Sequence, residues 1–174
     1  TAFYAISAVR MIFTNLPRAC ANGEDLAARE SMALAANYAG LAFTKAYVGY
    51  VHAFSHQIGG RYGVPHGLAN AILLPYVLDF LMDAPRARRR LADLAVAIGA
   101  GRAVESQEVL AQRFIDRIRE LNRTIGIPDK LEALQGPDIG GLARAAMVEA
   151  HRDYPVPKNM SLVEAEALMQ LCRA

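Results

Sequence analysis

The stretch VHAFSHQIGGRYGVPHGLAN, residues 51–70, holds three of the four histidines in this 174-residue chain. His52 and His56 stand four residues apart, and His66 follows ten residues later, directly after a Gly-Val-Pro turn signal. Residues four apart lie on one face of a helix, so both imidazoles of the pair can reach one point. The spacing predicts two helices joined by a tight turn. His66 would be at the start of the second helix, where it could complete a coordination site with the other two histidines.

Imidazole is a good ligand for zinc, iron(II), copper and nickel, but this stretch is an incomplete metal site by itself. A catalytic metal usually takes three or more protein ligands, often with a carboxylate among them. No Asp or Glu occurs between positions 51 and 78, and other carboxylates with the right chemistry have no distinguishing spacing: Glu24, Asp25, Glu30 and Asp79. The residues alone leave open whether the histidines bind metal or are hydrogen-bonded core residues. If they bind metal, we expect further ligands from residues before Thr1 or from another chain.

The fourth histidine and an arginine cluster have simpler interpretations. His151 is followed by Arg152 and Asp153, so it is expected at the surface. Four arginines lie within five residues, in a segment with an ordinary amphipathic pattern: Arg86, Arg88, Arg89 and Arg90. This cluster is interpreted as a solvated helix start rather than as a site for an acidic partner.

Composition predicts one globular domain spanning residues 1–174. Hydrophobic residues make up 53% and charged residues 21%, which excludes a disordered chain. The formal net charge of +2 gives no electrostatic footprint for nucleic acid. The longest apolar region, residues 68–82, is interrupted by Asn70, Pro75 and Asp79 and is too short to cross a bilayer. We therefore expect neither a nucleic-acid nor a membrane partner.

The cysteine content predicts a reduced, cytoplasmic protein. Cys20 and Cys172 form no C-x-x-C pair and are not near a histidine in sequence, so no disulfide framework is expected. The start of the chain has no methionine, no basic segment and no signal-like apolar segment.

Apolar residues recur at steps of three and four through most of the chain, and no stretch alternates with period two. The predicted fold is therefore all-α, a compact bundle of about eight helices. Helices are predicted over residues 2–16, 25–43, 51–60, 66–82, 91–98 and 105–121, then from Asp129, up to Ala150, and from Ser161.

Several of these helices carry more specific expectations. The first is predicted to end near Pro17, and the helix with His52 and His56 near Gly59-Gly60. The second helix is rich in small residues, which predicts a position deep in the bundle. The helix after His66 is apolar on nearly all sides and is expected to be buried all round.

The stretch VHAFSHQIGGRYGVPHGLANAILLPYVLDF, residues 51–80, resembles the signature of the iron-containing (group III) alcohol dehydrogenase family. The similarity extends to GLAFTKAYVGY before it and to LNRTIGIPDKLEAL and YPVPKNMS after it. It covers nearly the whole chain and implies the all-helical, dehydroquinate synthase-like C-terminal domain of that family.

The resemblance implies reversible oxidation of a small alcohol to an aldehyde or ketone with NAD(P) and a divalent metal, iron(II) or alternatively zinc. It assigns His52 and His66 as metal ligands. It gives His56 a catalytic role in proton transfer or substrate positioning. It places two further ligands on a D-x-x-x-H helix upstream of Thr1 and NAD(P) on a separate nucleotide-binding domain. This chain contains no glycine-rich phosphate turn of its own.

Three hypotheses follow. The preferred one is the metal-binding domain of an alcohol dehydrogenase, inactive as this fragment and binding metal weakly or not at all. The others are a stand-alone helical scaffold or oligomerisation protein and a metal-binding protein that completes its site across a dimer. A homo-oligomer is expected because the apolar face around the signature would otherwise be exposed. Tyr50, Phe54 and Tyr62 are candidate pocket walls or core residues.

Overall fold

The computed structural model describes residues 2–174, and these contain eight α-helices and no β-strand. A short 3-10 helix, Gly136–Asp138, precedes the seventh α-helix. The predicted all-α class and the predicted number of helices are confirmed. The helices are α1 Ala2–Ala21, α2 Leu26–Ala46, α3 Tyr50–Tyr62, α4 His66–Leu81, α5 Pro85–Ala97, α6 Gln107–Thr124, α7 Ile139–Asp153 and α8 Leu162–Cys172.

The chain divides into two compact units. The first comprises the residues up to Tyr47 together with Arg88–Ile125, and therefore contains α1, α2, α6 and most of α5. The second comprises Val48–Ala87 and Gly126–Ala174, and contains α3, α4, α7 and α8. The whole stretch with the three histidines lies in the second unit. No helix within residues 2–174 is long and apolar enough to cross a membrane.

In the first unit, α2 packs against α1 along a narrow stripe of alanines. Ala28, Ala35 and Ala42, spaced seven residues apart, are the only buried residues of α2. The prediction that this helix lies deep in a bundle is therefore wrong for the described chain. Small side chains allow close approach along one seam, but they do not require that the other faces be covered.

Helix boundaries differ from the predictions where a single residue was taken as a stop signal. Pro17 lies inside α1, which continues to Ala21, because proline near the last turn removes only one hydrogen bond. The helix predicted from Asp129 is absent. The backbone of Leu131 instead pairs with the end of the chain, where its N–H donates to the Cys172 carbonyl at 2.7 Å.

The arginine-rich segment forms the first turns of α5, which begins six residues before the predicted start at position 91. Arg86, Arg89 and Arg90 are exposed, as expected of a solvated helix start, whereas Arg88 is half-buried and lies 3.3 Å from Glu108. In α6 one apolar face is buried at Leu110, Phe114, Ile115 and Ile118, whereas Leu121 is half-buried and Val109 is 44% exposed. The predicted helix from Ser161 is α8, which a capping box opens, with Ser161 and Glu164 satisfying each other's backbone N–H groups.

The second unit is built around a core shared by α3, α4, α7 and α8. Phe54, Ile58 and Leu73 are fully buried at its centre. The prediction that α4 is buried all round is only partly correct, because Leu74 and Leu78 are half-buried and line a cavity. That cavity lies beside one of the histidines.

The two cysteines are both free, as predicted, and should differ sharply in reactivity. Burial raises the pKa of the Cys172 thiol to about 12, whereas Cys20 is exposed on α1. Because the thiolate is the reactive form, we expect one rapidly reacting thiol in the native chain with Ellman's reagent at about pH 8. Both thiols should react once the chain is denatured. Two rapid thiols in the native chain, or loss of the rapid one in Cys172→Ser instead of Cys20→Ser, would contradict this.

Candidate metal centre

The two ends of α3 are set by unusual backbone conformations. Before it, Tyr47 has a positive φ of 61° and Gly49 is extended, so the backbone is not helical there. This interruption separates α2 from α3 and lies in the predicted gap between residues 43 and 51. After it, Gly63 adopts the left-handed conformation with φ 69°, and its N–H bonds to the Gly59 carbonyl at 2.9 Å. The predicted end at Gly59-Gly60 is therefore wrong by two residues. The helix stops where a left-handed residue is needed, and glycine adopts that conformation without strain.

The turn at residues 63–65 brings all three predicted site histidines together. Ring centroids are 5.2 Å apart for His52 and His66, 5.3 Å for His56 and His66, and 5.9 Å for His52 and His56. His66 is the first residue of α4, and the other two lie one turn apart on α3. His151 is exposed, as expected, and its Nε2 lies 3.3 Å from the Tyr50 hydroxyl.

The spacing of His52 and His66 suits two imidazole ligands of one ion. A metal–nitrogen distance of about 2.1 Å puts a ring centroid roughly 3.2 Å from the metal, and two such rings at a tetrahedral angle are about 5.2 Å apart. The observed 5.2 Å for His52 and His66 agrees with that value, and so does the 5.3 Å for His56 and His66, so the distance fits either pair. Within residues 2–174, however, no three or more His, Cys, Asp or Glu side chains are arranged to hold a metal ion. The described residues therefore fit a divalent metal as a partial set of ligands.

The surroundings of His66 include a buried polar atom that has no hydrogen-bond partner among the described residues. The Nε2 of His66 lies 3.0 Å from Asn70 Nδ2, and its Nδ1 lies 3.4 Å from Ser55 Oγ. The Oδ1 of Asn70 is buried and unpaired. Buried polar atoms are rarely left unsatisfied in proteins, so this oxygen indicates that a polar group binds beside His66.

The electrostatics of the cluster favour a neutral His52. Burial is the largest cause lowering the pKa of this histidine, and the neighbouring His66 and His56 lower it further. Glu149 opposes the shift. A neutral imidazole has the lone pair that a metal ligand requires, so the environment of His52 favours the form that can bind metal.

Sequence reasoning missed one carboxylate at this site, Glu149 on α7. Its Oε1 lies 2.7 Å from His56 Nδ1 and also accepts from the Tyr154 hydroxyl. Its Oε2 accepts from Gln57 Nε2 at 2.8 Å. No local signal in the sequence could have identified it, because Glu149 is 93 residues from His56 and the contact depends on how α7 packs against α3.

An apolar cavity of about 490 Å³ adjoins the histidine cluster within the second unit. His52 and Asn70 are its polar members nearest the cluster, and most other lining residues are aliphatic side chains and prolines, among them Val51, Leu74, Val77, Leu78, Pro155 and Val156. Of the three predicted wall residues, Tyr50 lines this cavity, whereas Phe54 is wholly in the core. Tyr62 instead donates to Asp138. The cavity has the size and lining of a small-molecule site.

Helices that gather imidazoles beside an apolar cavity define a candidate metal-dependent enzyme centre, and comparison with known proteins identifies the class. The family model of the Fe-containing alcohol dehydrogenase family, C-terminal, matches residues 1–173. The chain therefore belongs to this family and corresponds to the C-terminal domain of its members, as the resemblance implied.

Individual relatives support the same family assignment. Alcohol dehydrogenase 4 of Saccharomyces cerevisiae (strain ATCC 204508 / S288c) is 41% identical over 155 residues, 87% of this chain and 39% of the relative. The 1,3-propanediol dehydrogenase of Citrobacter freundii is 40% identical over 163 residues, 94% of this chain and 38% of the relative. The chain thus spans about two fifths of these relatives.

Solved structures confirm the fold. The crystal structure of a 1,3-propanediol oxidoreductase matches with a TM-score of 0.91 and 36% identity, covering 98% of this chain and 44% of that one. An alcohol dehydrogenase from Oenococcus oeni matches with the same TM-score and 31% identity, again covering 98% and 44%.

Proposed function

We propose that this chain forms the metal-binding helical domain of an NAD(P)-dependent alcohol dehydrogenase that interconverts small alcohols with aldehydes or ketones. The observation that carries the proposal is the histidine cluster beside the apolar cavity, in a chain that belongs to the Fe-containing alcohol dehydrogenase family. Iron(II) is the preferred metal because the chain belongs to the Fe-containing family, and zinc is the alternative because imidazole binds it as well. The chain alone is expected to be inactive.

Each residue of the cluster has a role in this proposal. His52 and His66 would hold the metal. When bound, a divalent cation supplies Lewis acidity toward the alcohol or carbonyl oxygen. The aliphatic walls beside His52 take the carbon chain of the substrate and keep water from it. His56 exchanges the hydroxyl proton through Nε2, since its Nδ1 is engaged by Glu149.

The residues of this chain do not fit NAD(P). Binding the pyrophosphate of a dinucleotide usually takes a glycine-rich turn at a helix N-terminus, and this sequence has none. Dinucleotide binding therefore belongs to a part of the enzyme other than this chain. We expect the isolated chain to bind NAD(P) poorly.

A cobalt(II) titration of the ¹⁵N-labelled chain tests the metal site without requiring activity. We expect weak binding, because two imidazoles are a partial ligand set, with paramagnetic broadening centred on the His52 and His66 ring signals. Removing a ligand should weaken binding at least about tenfold in His52→Ala and in His66→Ala, which corresponds to about 1.4 kcal/mol. His151→Ala is the matched control, since it removes the one histidine outside the cluster, and should bind as the parent chain does.

The possible results of this titration are distinct. Broadening that is spread over the chain, or that is equally affected by His151→Ala, would exclude the proposed ligands. Tight 1:1 binding that is lost in both cluster variants would support the ligands and contradict the expectation of a partial set.

The alternative is a helical scaffold or oligomerisation protein that retains the family's fold. Large exposed apolar side chains in the first unit favour self-association, among them Phe3, Leu26, Phe43 and Tyr47. The cobalt titration separates the two functions, because a pure scaffold would show no binding that depends on His52 and His66. We further propose a cytoplasmic homo-oligomer, which the two free cysteines and these exposed side chains support.

A further inference from the structure

His56 is an exposed member of the histidine cluster, and a hydrogen bond to Glu149 orients its ring. Its side chain is 43% exposed, and its ring stacks on that of His66 with the centroids 5.3 Å apart. The 2.7 Å bond between its Nδ1 and Glu149 Oε1 has the short length of a charge-assisted hydrogen bond. Among the described residues its Nε2 has no hydrogen-bond partner. The Glu149 contact therefore distinguishes the two nitrogens of the ring.

Glu149 is itself held in place by its other contacts. Its side chain is only 20% exposed, and each of its oxygens accepts a hydrogen bond besides the one from His56. Gln57 Nε2 donates to Oε2, and the Tyr154 hydroxyl donates to Oε1. Burial and the contact with Glu149 raise the pKa of Tyr154 to about 12, so this phenol remains a donor at neutral pH. An acceptor fixed by two donors from α3 and one from the residue directly after α7 is pre-organised.

A carboxylate that accepts a hydrogen bond from Nδ1–H selects one tautomer of the neutral imidazole. The proton must reside on Nδ1, and the lone pair must then be on Nε2. An unperturbed imidazole in water prefers the opposite tautomer. The rings of His52 and His66 lie 5.9 Å and 5.3 Å from that of His56, so the imidazole whose tautomer is selected is part of the cluster.

We propose that Glu149 is a positioning residue of this centre, which anchors His56 by Nδ1 and leaves Nε2 as the nitrogen that exchanges protons with the substrate. The proposal rests on the role given to His56 under the proposed function. Gln57 and Tyr154 support it indirectly, because they orient the carboxylate and touch the ring only through it.

The tautomer of His56 can be measured directly by long-range ¹H–¹⁵N correlation on the labelled chain. At mildly alkaline pH, where an ordinary histidine is neutral, we expect the pyridine-type ¹⁵N signal of His56 to belong to Nε2. In Glu149→Ala this signal should move to Nδ1, because the acceptor is gone. Glu149→Gln should retain the parent pattern, since its amide oxygen still accepts. Glu132→Ala removes an exposed glutamate of the same unit and should change nothing at His56.

The results decide the proposal whether or not the metal site is correct. A pyridine-type signal at Nδ1 in the parent chain, or an unchanged pattern in Glu149→Ala, would overturn it. A purely structural role for Glu149 would lower stability in both substitutions without moving the proton between the ring nitrogens. The cobalt titration tests His52 and His66 independently, so failure of the proposed metal site would appear there and not in the tautomer.

Discussion

Phe54→Ala is expected to lower the free energy of unfolding of the second unit by about 3–5 kcal/mol. Phe54 is fully buried in the core shared by α3, α4, α7 and α8. Truncation removes the transfer free energy of the ring and leaves a cavity that close-packed helices refill only in part. Urea denaturation followed by circular dichroism gives the loss. Hydrogen exchange resolved by peptide should locate it in residues 48–87 and 126–174.

Phe43→Ala is the matched control, because it makes the same chemical change at a side chain that is 53% exposed. It should alter the free energy of unfolding by no more than about 0.5 kcal/mol. Equal losses for the two substitutions would mean that Phe54 is not the core residue described above. A loss of protection confined to the first unit in Phe54→Ala would contradict the assignment of α3 to the second unit.

The class of the fold was predictable because it depends on local periodicity, but several boundaries were not. Apolar spacing identified the helices now seen as α1 and α6, and the histidine spacing and the turn signal between them identified α3 and α4. The helix ends were predicted wrongly where a residue that often ends a helix, such as proline or glycine, lies in a context that lets the helix continue. Pro17 comes so late in α1 that its missing N–H costs one bond, and Gly59-Gly60 remains helical because Gly63 supplies the left-handed stop. The helix expected at Asp129 was replaced by pairing with the distant chain end.

The candidate site was likewise predictable in its local part and not in its long-range contacts. His52, His56 and His66 lie within fifteen residues, so helix geometry and one turn were enough to predict that they meet. Glu149 arrives from α7, and which carboxylate faces His56 depends on the packing of α3 against α7. Sequence reasoning considered four carboxylates and not this one, because pairing across 93 residues leaves no local pattern. The local part of a site is readable from one sequence, and its long-range partners are not.

The second large effect concerns Tyr50, which joins the core to the loop bordering the cavity. Its ring is 2% exposed, and its hydroxyl accepts from the Met160 N–H at 2.8 Å and donates to the Lys158 carbonyl at 2.9 Å. Burial raises its pKa, so the hydroxyl stays protonated and can donate. Met160 is itself buried, so water cannot replace the lost partner of its N–H. One side chain thus satisfies two backbone groups of the segment that follows α7.

Tyr50→Phe should therefore destabilise the chain by about 1–3 kcal/mol, because it leaves a buried N–H and a carbonyl without partners while the ring still fits. Urea denaturation measures the loss, and the exchange rate of the Met160 amide should rise in the native state. Tyr76→Phe is the control, since its exposed hydroxyl donates only to the Asp129 carbonyl and water can replace it. That variant should lose no more than about 0.5 kcal/mol. If both variants lose the same amount, the Tyr50 hydroxyl is not what holds the loop, and the cavity wall at Pro155 and Val156 is held by packing alone.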